Sequence, residues 1–237
     1  MCFDHEEFDS HEEIVFVHDV VSGLKAIIAI HDTRLGPALG GTRYWPYADT
    51  EEACRDVLRL SKGMTYKNAL AGLNFGGGKA VILAQSIQQK SPALLRAYAE
   101  ALNCLKGRFI TGEDVGVSVA DVDRIRMHTP FIAGTSTTKA ASGDPSRVTA
   151  EGVFLSLATT AEAAFGGTDL QGVRVGVQGL GAVGWKLAEK LHNAGATLVV
   201  SDIDPAKTAK AAEVFGATIV DPDAILTQDM DVFAPCG

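Results

Sequence analysis

The sequence predicts an α/β protein of two domains, a first α/β domain over residues 1–140 and a second α/β domain over 141–237. Three observations predict it. Short apolar runs bounded by turn residues alternate with segments of helical period, the pattern of strands joined by crossover helices. A glycine fingerprint directly follows an apolar run in the second half. The 237 residues fit one large or two modest domains, and the most loop-like stretch, residues 134–146 (GTSTTKAASGDPS), has the composition of a domain link.

In the first half, residues 12–19 (EEIVFVHD) and 24–32 (LKAIIAIHD) read as neighbouring strands, with SGLK supplying a hairpin turn. Asp49 followed by Glu52 resembles a capping signal, after which Ala53, Val57, Leu60 and Met64 recur at helical spacing and lead into Lys67. Residues 79–83 (KAVIL) read as a short strand, 91–105 (SPALLRAYAEALNCL) as an amphipathic helix, and 108–114 (RFITGED) as a strand ending in acidic residues. Ser118 and Asp121 cap a helix that carries Val122 and Ile125 on one face. A further helix presents Val153, Leu157, Ala161 and Phe165 before Gly166 and Gly167 end it.

The second half opens with VRVGVQGLGAVG, a strand running into Gly179, Gly181 and Gly184, which fit the G-x-G-x-x-G of Rossmann-type domains. Alone the pattern is equally that of a flexible turn. Here a helix (WKLAEKLHNAG) follows, and then a strand (TLVVSD) whose terminal Asp202 lies close to the ~20-residue spacing of the fingerprint's acidic residue. Glycines let the turn close and the backbone approach a pyrophosphate, and the N–H groups opening the helix at Ala182 and Val183 would hold the anion. Asp202, with Ile203 beside it, would accept hydrogen bonds from the adenosine ribose and repel a 2′-phosphate, so the expected cofactor is NAD. Residues 217–220 (ATIV) and 231–236 (DVFAPC) would extend the sheet.

The stretch GMTYKNALAGLNFGGGKAVI sets Lys67 and Lys79 amid small and apolar residues. It is not a P-loop, because Gly72 is out of register and Ala80 stands where Ser or Thr is needed, and neither HExxH nor GxSxG occurs. Either lysine alone reads equally well as a solvated surface residue. Together, with glycines 76–78 expected to give a substrate close access, an apolar setting at Lys79 would disfavour its charged form and make it a usable base. Asp114, between Gly112 and Gly116, is a candidate proton carrier or simply a turn cap. Two cations, one carboxylate and NAD suggest an amino-acid substrate.

Composition narrows the remaining classes. A formal charge of −8 without a basic run argues against nucleic acid, and no segment approaches the ~18 apolar residues of a membrane span. The acidic opening MCFDHEEFDSHEE is unlike a signal peptide, and Cys2, Cys54, Cys104 and Cys236 form no CxxC pair, so the expectation is a cytoplasmic chain that starts where written, with reduced thiols and no metal.

Taken with HDTRLGPALGGTRYWPY, TGEDVG, VVSD and FAPC, these motifs resemble the glutamate/leucine/phenylalanine/valine dehydrogenase family over nearly the whole chain, and most nearly its leucine and valine enzymes. The resemblance implies NAD-dependent, reversible oxidative deamination of an L-amino acid to its 2-oxo acid and ammonium. By it, Lys67 pairs with the substrate α-carboxylate, Lys79, its charged form disfavoured by burial and by the neighbouring Lys67 charge, activates the water that attacks the imine, and Asp114 shuttles protons. Glutamate-specific relatives carry a lysine where this chain has Leu39, which implies an apolar substrate. Leu39, Gly40, Gly41 and Met64 would line its pocket, with Thr149 near the nicotinamide. Leucine, valine and isoleucine lead, and GLGAVG keeps phenylalanine open. The resemblance also implies a homo-oligomer built through the first domain, with the strand IVFV as a pairing edge or an internal strand. Family members continue well past FAPC, so the expectation is a nucleotide domain lacking its C-terminal part, which leaves a non-catalytic NAD-binding fragment as the alternative.

Overall fold

The computed structural model describes residues 4–86, 90–136 and 144–237. The chain divides into two compact units, Met1–Gly143 and Asp144–Gly237. The domain boundary expected at 140/141 lies outside the described residues.

The first unit is built on a six-stranded mixed sheet. Strands β1 (Glu13–Asp19) and β2 (Leu24–Asp32) form the expected antiparallel hairpin, with Gly23 at positive φ in its turn. β2 is buried on both faces, which explains its unbroken apolar run: Leu24, Ala26, Ile28 and Ile30 enter one core, Ile27 and Ala29 the other. β2 pairs antiparallel with β5, which runs Gly76–Leu83 and so begins three glycines before the expected KAVIL. Two short strands that the sequence reading lacked, β3 (Ala38–Leu39) and β4 (Thr42–Trp45), pair parallel with β5 at one register. They are two pieces of one strand, broken at Gly40 and Gly41.

Helix α1 (Thr50–Leu70) covers one face of this sheet, capped by the Asp49 side chain, which accepts from Glu52 N. Its buried face is Ala53, Cys54, Val57, Leu58, Ser61 and Asn68, rotated from the expected stripe, so that Leu60 and Met64 are only half-buried. Ser61 and Asn68 can occupy that face because their polar groups bond carbonyls, Ser61 to Leu58 O and Asn68 to Leu39 O and Gly76 O. Helices α2 (Pro92–Cys104) and α3 (Val119–Arg126) supply the opposite core, and Ser118 with Asp121 forms the expected capping box. The strand expected over 108–114 is cut to β6 (Phe109–Ile110), because the chain turns away through Gly112 and Gly116 and leaves Asp114 in a loop.

In the second unit, helix α4 (Ser146–Phe165) ends at Gly166 in the left-handed region. Leu157 and Ala161 are buried, whereas Phe165 is exposed, against expectation, since the helix ends before another turn could cover it. Strands β7 (Arg174–Gln178), β8 (Thr197–Ser201), β9 (Thr218–Ile219) and β10 (Val232–Pro235) are all parallel, in the order β10-β7-β8-β9. Reversed, this is the 3-2-1-4 part of the Rossmann strand order. α5 (Ala182–Asn193) follows the fingerprint, and α6 (Pro205–Phe215), absent from the sequence reading, connects β8 to β9. Its start was legible: Asp204 caps it and Pro205 opens it. No described helix is long and apolar enough to cross a membrane.

Candidate active site

The break between β3 and β4 organises the first unit's polar cluster. Carrying the register of β3 and β4 through the break sets Gly40 opposite Gly78 and Gly41 opposite Lys79. A Cβ on Gly40 would collide with the Gly78 carbonyl and lie 3.1 Å from Met64 Cγ, and one on Gly41 would lie 2.9 Å from Asp114 Cβ. The two glycines therefore let the chain slip between α1 and the Asp114 loop, and Asp114 reaches Lys79.

Lys79 is 6% exposed. Its Nζ donates to Asp114 Oδ2, while Oδ1 of the same carboxylate accepts from Val115 N at 2.7 Å. Burial pushes the Lys79 ammonium below the ordinary lysine range; Asp114 opposes this and the Arg43 charge adds to it. Asp114 is itself partly buried, which favours its neutral form, but Lys79, Val115 N–H and Arg43 outweigh that and hold it below the usual carboxylate range. The expected cationic neighbour of Lys79 was Lys67. The structure has Arg43 instead, because α1 carries Lys67 into its last turn, exposed, where no described carboxylate pairs with it.

Glycines 76–78 do not open access for a substrate, which corrects the expectation for them. The space their side chains would fill belongs to the protein: the Asp32 carbonyl at Gly76, the α1 backbone and Thr65 at Gly77, and Phe109, 2.8 Å away, at Gly78. They let β5 lie directly against α1 and β6. Leu39 ends β3, half-buried, with its carbonyl held by Asn68.

The sequence by itself assigns no role to Arg43, Asp56, Tyr47 or Asn68. Arg43 Nη1 contacts both oxygens of Asp56 at 3.0 and 3.1 Å, Tyr47 donates to Asp56 Oδ2 at 2.6 Å, and Arg43 Nε stands 3.6 Å from Asp114 Oδ1. No spacing signal links residues 43, 56 and 114. Only the β4–β5 register and the packing of α1 join them.

In the second unit the three fingerprint glycines serve three ends. Gly179 takes φ +87°, closing the turn beside Gly237; Gly181 faces open space; and a Cβ on Gly184 would strike the Gly179 carbonyl, so its absence lets α5 sit close to β7. Gly181 provides no side-chain cap, which leaves the first N–H groups of α5, from Ala182 and Val183 onward, available to an anion. Asp202 accepts from Leu180 N at 2.6 Å and from Asp204 N at 2.8 Å. Partial burial works against its charge, but these amides and Lys207, whose Nζ lies 3.6 Å away, keep its carboxyl below the ordinary range. Ile203 is 91% exposed next to it. The open space at Gly181 and the ionised Asp202 fit a dinucleotide. Thr149 stands exposed on α4, donating to Pro145 O at 3.0 Å.

Known proteins match this chain in both units. A family model described as "Glu/Leu/Phe/Val dehydrogenase, dimerisation domain" matches residues 11–131, and one described as "D-isomer specific 2-hydroxyacid dehydrogenase, NAD binding domain" matches residues 146–234. The leucine dehydrogenase of Bacillus subtilis (strain 168) is 50% identical over 98% of this chain and 64% of its own length. Among solved structures, the L-tryptophan dehydrogenase of Nostoc punctiforme aligns with a TM-score of 0.67 at 44% identity, over 96% of this chain and 64% of that one. The hetero-hexameric glutamate dehydrogenase of Thermus thermophilus, in a Leu-bound form, aligns with a TM-score of 0.74 at 25% identity, over 96% and 62%. The chain thus spans about 64% of the length of the leucine dehydrogenase it matches.

Proposed function

The chain belongs to the Glu/Leu/Phe/Val dehydrogenase family, and on that premise we propose that it carries out the NAD-dependent, reversible oxidative deamination of an apolar L-amino acid to a 2-oxo acid and ammonium. Leucine, valine and isoleucine are the substrates of choice. The observation that supports this best is the buried Lys79–Asp114 pair, with an apolar Leu39 opposite Gly77 on the neighbouring strand that offers no counter-charge to an acidic side chain.

In this reading the first unit binds substrate and mediates oligomerisation, and the second holds the cofactor. Lys67, exposed and unpaired with any described carboxylate, binds the α-carboxylate. Lys79, whose proton burial loosens, acts as base toward the attacking water, and Asp114 relays protons to and from the amine. Leu39, Gly40, Gly41 and Met64 border the side chain, and Thr149 serves the nicotinamide side. Gly179, Gly181, Gly184 and the α5 amides of Ala182 and Val183 receive the pyrophosphate, while Asp202 and Ile203 receive the adenosine. NAD, when bound, supplies the hydride acceptor. A homo-oligomer and a cytoplasmic setting complete the proposal; the free outer edge of β1 supports the first, since β1 pairs only with β2 among the described strands. An aromatic substrate is the second reading, favoured by the likeness to a tryptophan dehydrogenase.

The test is NADH formation on this chain with leucine, valine, isoleucine, phenylalanine, tryptophan and glutamate, alongside Lys79→Ala with its fold verified by circular dichroism. Turnover of aliphatic amino acids that Lys79→Ala abolishes is expected. Preference for glutamate would overturn the substrate class, and an undiminished Lys79→Ala rate would overturn the site.

A further inference from the structure

We propose that Arg43, anchored by Asp56 and Tyr47, is a positioning residue that fixes the orientation of the Asp114 carboxylate against Lys79; the catalytic part of this inference rests on the function proposed above. Asp114 has two oxygens with different duties. Oδ2 is on Lys79, and Oδ1 is held by Val115 N–H and faced by Arg43 Nε at 3.6 Å. With a single backbone bond on Oδ1, the carboxylate could still swing about its terminal torsion, which is broad and roughly two-fold. A planar guanidinium on that side restricts the swing.

Arg43 can do this because its other end is fixed. Nη1 is bonded to both oxygens of Asp56 on α1, and Tyr47 O–H holds Asp56 in turn. Burial and the Asp56 carboxylate keep the Tyr47 proton on, so the anchor stays a donor. A simple strut between β4 and α1 would need no more than the Nη1 contacts. Instead Arg43 Nε is buried without a hydrogen-bond partner, one of three such side-chain atoms among the described residues, and stands at ion-pair distance from Asp114. A buried donor left so close to an acceptor is suited to tightening its contact when the carboxylate changes charge or position. Lysine could supply the charge but not both contacts at once.

The charged groups facing Lys79 are Asp114, Arg43 and Asp56, and those facing Asp114 are Lys79 and Arg43. Removing the Arg43 charge therefore raises the titration midpoints of both Asp114 and Lys79. The experiment follows these midpoints by carbon-13 NMR in the full chain, for the unmodified protein, Arg43→Gln, Arg43→Lys and Tyr47→Phe, together with kcat and KM. Arg43→Gln is expected to raise both midpoints and to lower kcat on the order of tenfold to hundredfold with little change in KM. Arg43→Lys returns the midpoints but not kcat. Tyr47→Phe, which alters no charge, lowers kcat in the same direction and decides the matter if Arg43→Gln does not fold. Unmoved midpoints in folded Arg43→Gln, or an unchanged kcat in Tyr47→Phe, would overturn the proposal. If the unmodified chain deaminates no amino acid, the functional reading fails, and the midpoints still decide whether Arg43 acts on Asp114.

Discussion

In the proposed reaction Lys79 is the base, and its environment sets a direction for pH. Burial lowers its proton affinity, so the neutral, basic form appears at lower pH than for an ordinary lysine near 10.4. Deamination is expected to rise with pH through a midpoint below that value, read from kcat/KM against pH; a profile with no rise before about 10.4 would remove Lys79 from the role of base. Leu39 carries a separate expectation. Its side chain is half-buried, at the position where the family resemblance implies a lysine in glutamate-specific enzymes, so Leu39→Lys should shift preference from leucine toward glutamate. The ratio of the two kcat/KM values measures it, and a ratio unmoved within about twofold would mean that the pocket is selected elsewhere.

At the scale of elements, α1 is held to the sheet by Val57 and Leu58, packed with Ile27 and Val81, and by close backbone approach at Gly77. Gly77→Ala would drive a methyl into Thr65 and the α1 backbone, at a cost of about 1–3 kcal/mol or more in denaturant unfolding. No loss of stability would show that α1 can move away freely. The same helix meets two histidines. His11, 7% exposed, contacts Leu58 O at 3.1 Å and Ser61 Oγ at 3.0 Å through Nε2, and accepts from Asp9 N at 3.2 Å through Nδ1; His31 contacts Thr65 Oγ1 at 2.8 Å. Burial, chiefly, lowers the proton affinity of both, and the rings stand 4.8 Å apart edge to face. Folded values below the unfolded ~6.5 mean that the unfolded chain takes protons first as pH falls. Their contribution is complete above ~6.5 and is lost as pH falls through the folded values. Thermal unfolding at a series of pH values should show that decline, and His11→Gln should flatten it. An equal decline in the variant would assign it to other groups.

For the whole molecule, the proposed function gives the two units separate tasks that can be separated by experiment. Gly181 faces open space at the start of α5, so Gly181→Val leaves the fold of the second unit room to form while filling the volume that a pyrophosphate would take in the proposed site. NADH binding followed by fluorescence should weaken on the order of tenfold or more with the unfolding midpoint little changed, since one 1.4 kcal/mol contact is worth tenfold. Retained affinity would place the dinucleotide away from the fingerprint.

By itself the sequence determined what depends on neighbours a few positions away. The β1–β2 hairpin, the Asp49 and Ser118 caps, the end of α4 at Gly166 and the strand–glycine–helix run through Gly184 were all legible, because turns, caps and periodicity are written in consecutive residues. Even there, α6 lies outside the expected elements although Asp204 and Pro205 announce it, and α1 buries a rotated face because Ser61 and Asn68 find carbonyls to bond. Tertiary structure alone decided the polar cluster. Lys79 meets Asp114 across 35 positions and Arg43 meets Asp56 across 13, brought together by the break at Gly40 and Gly41 and by the register of β3 and β4 on β5. Strands of two and four residues carry too little pattern to be read locally. The glycines that looked like room for a substrate proved to be room for the protein's own backbone, because whether an absent side chain leaves a void or a contact depends on what distant chain packs against it.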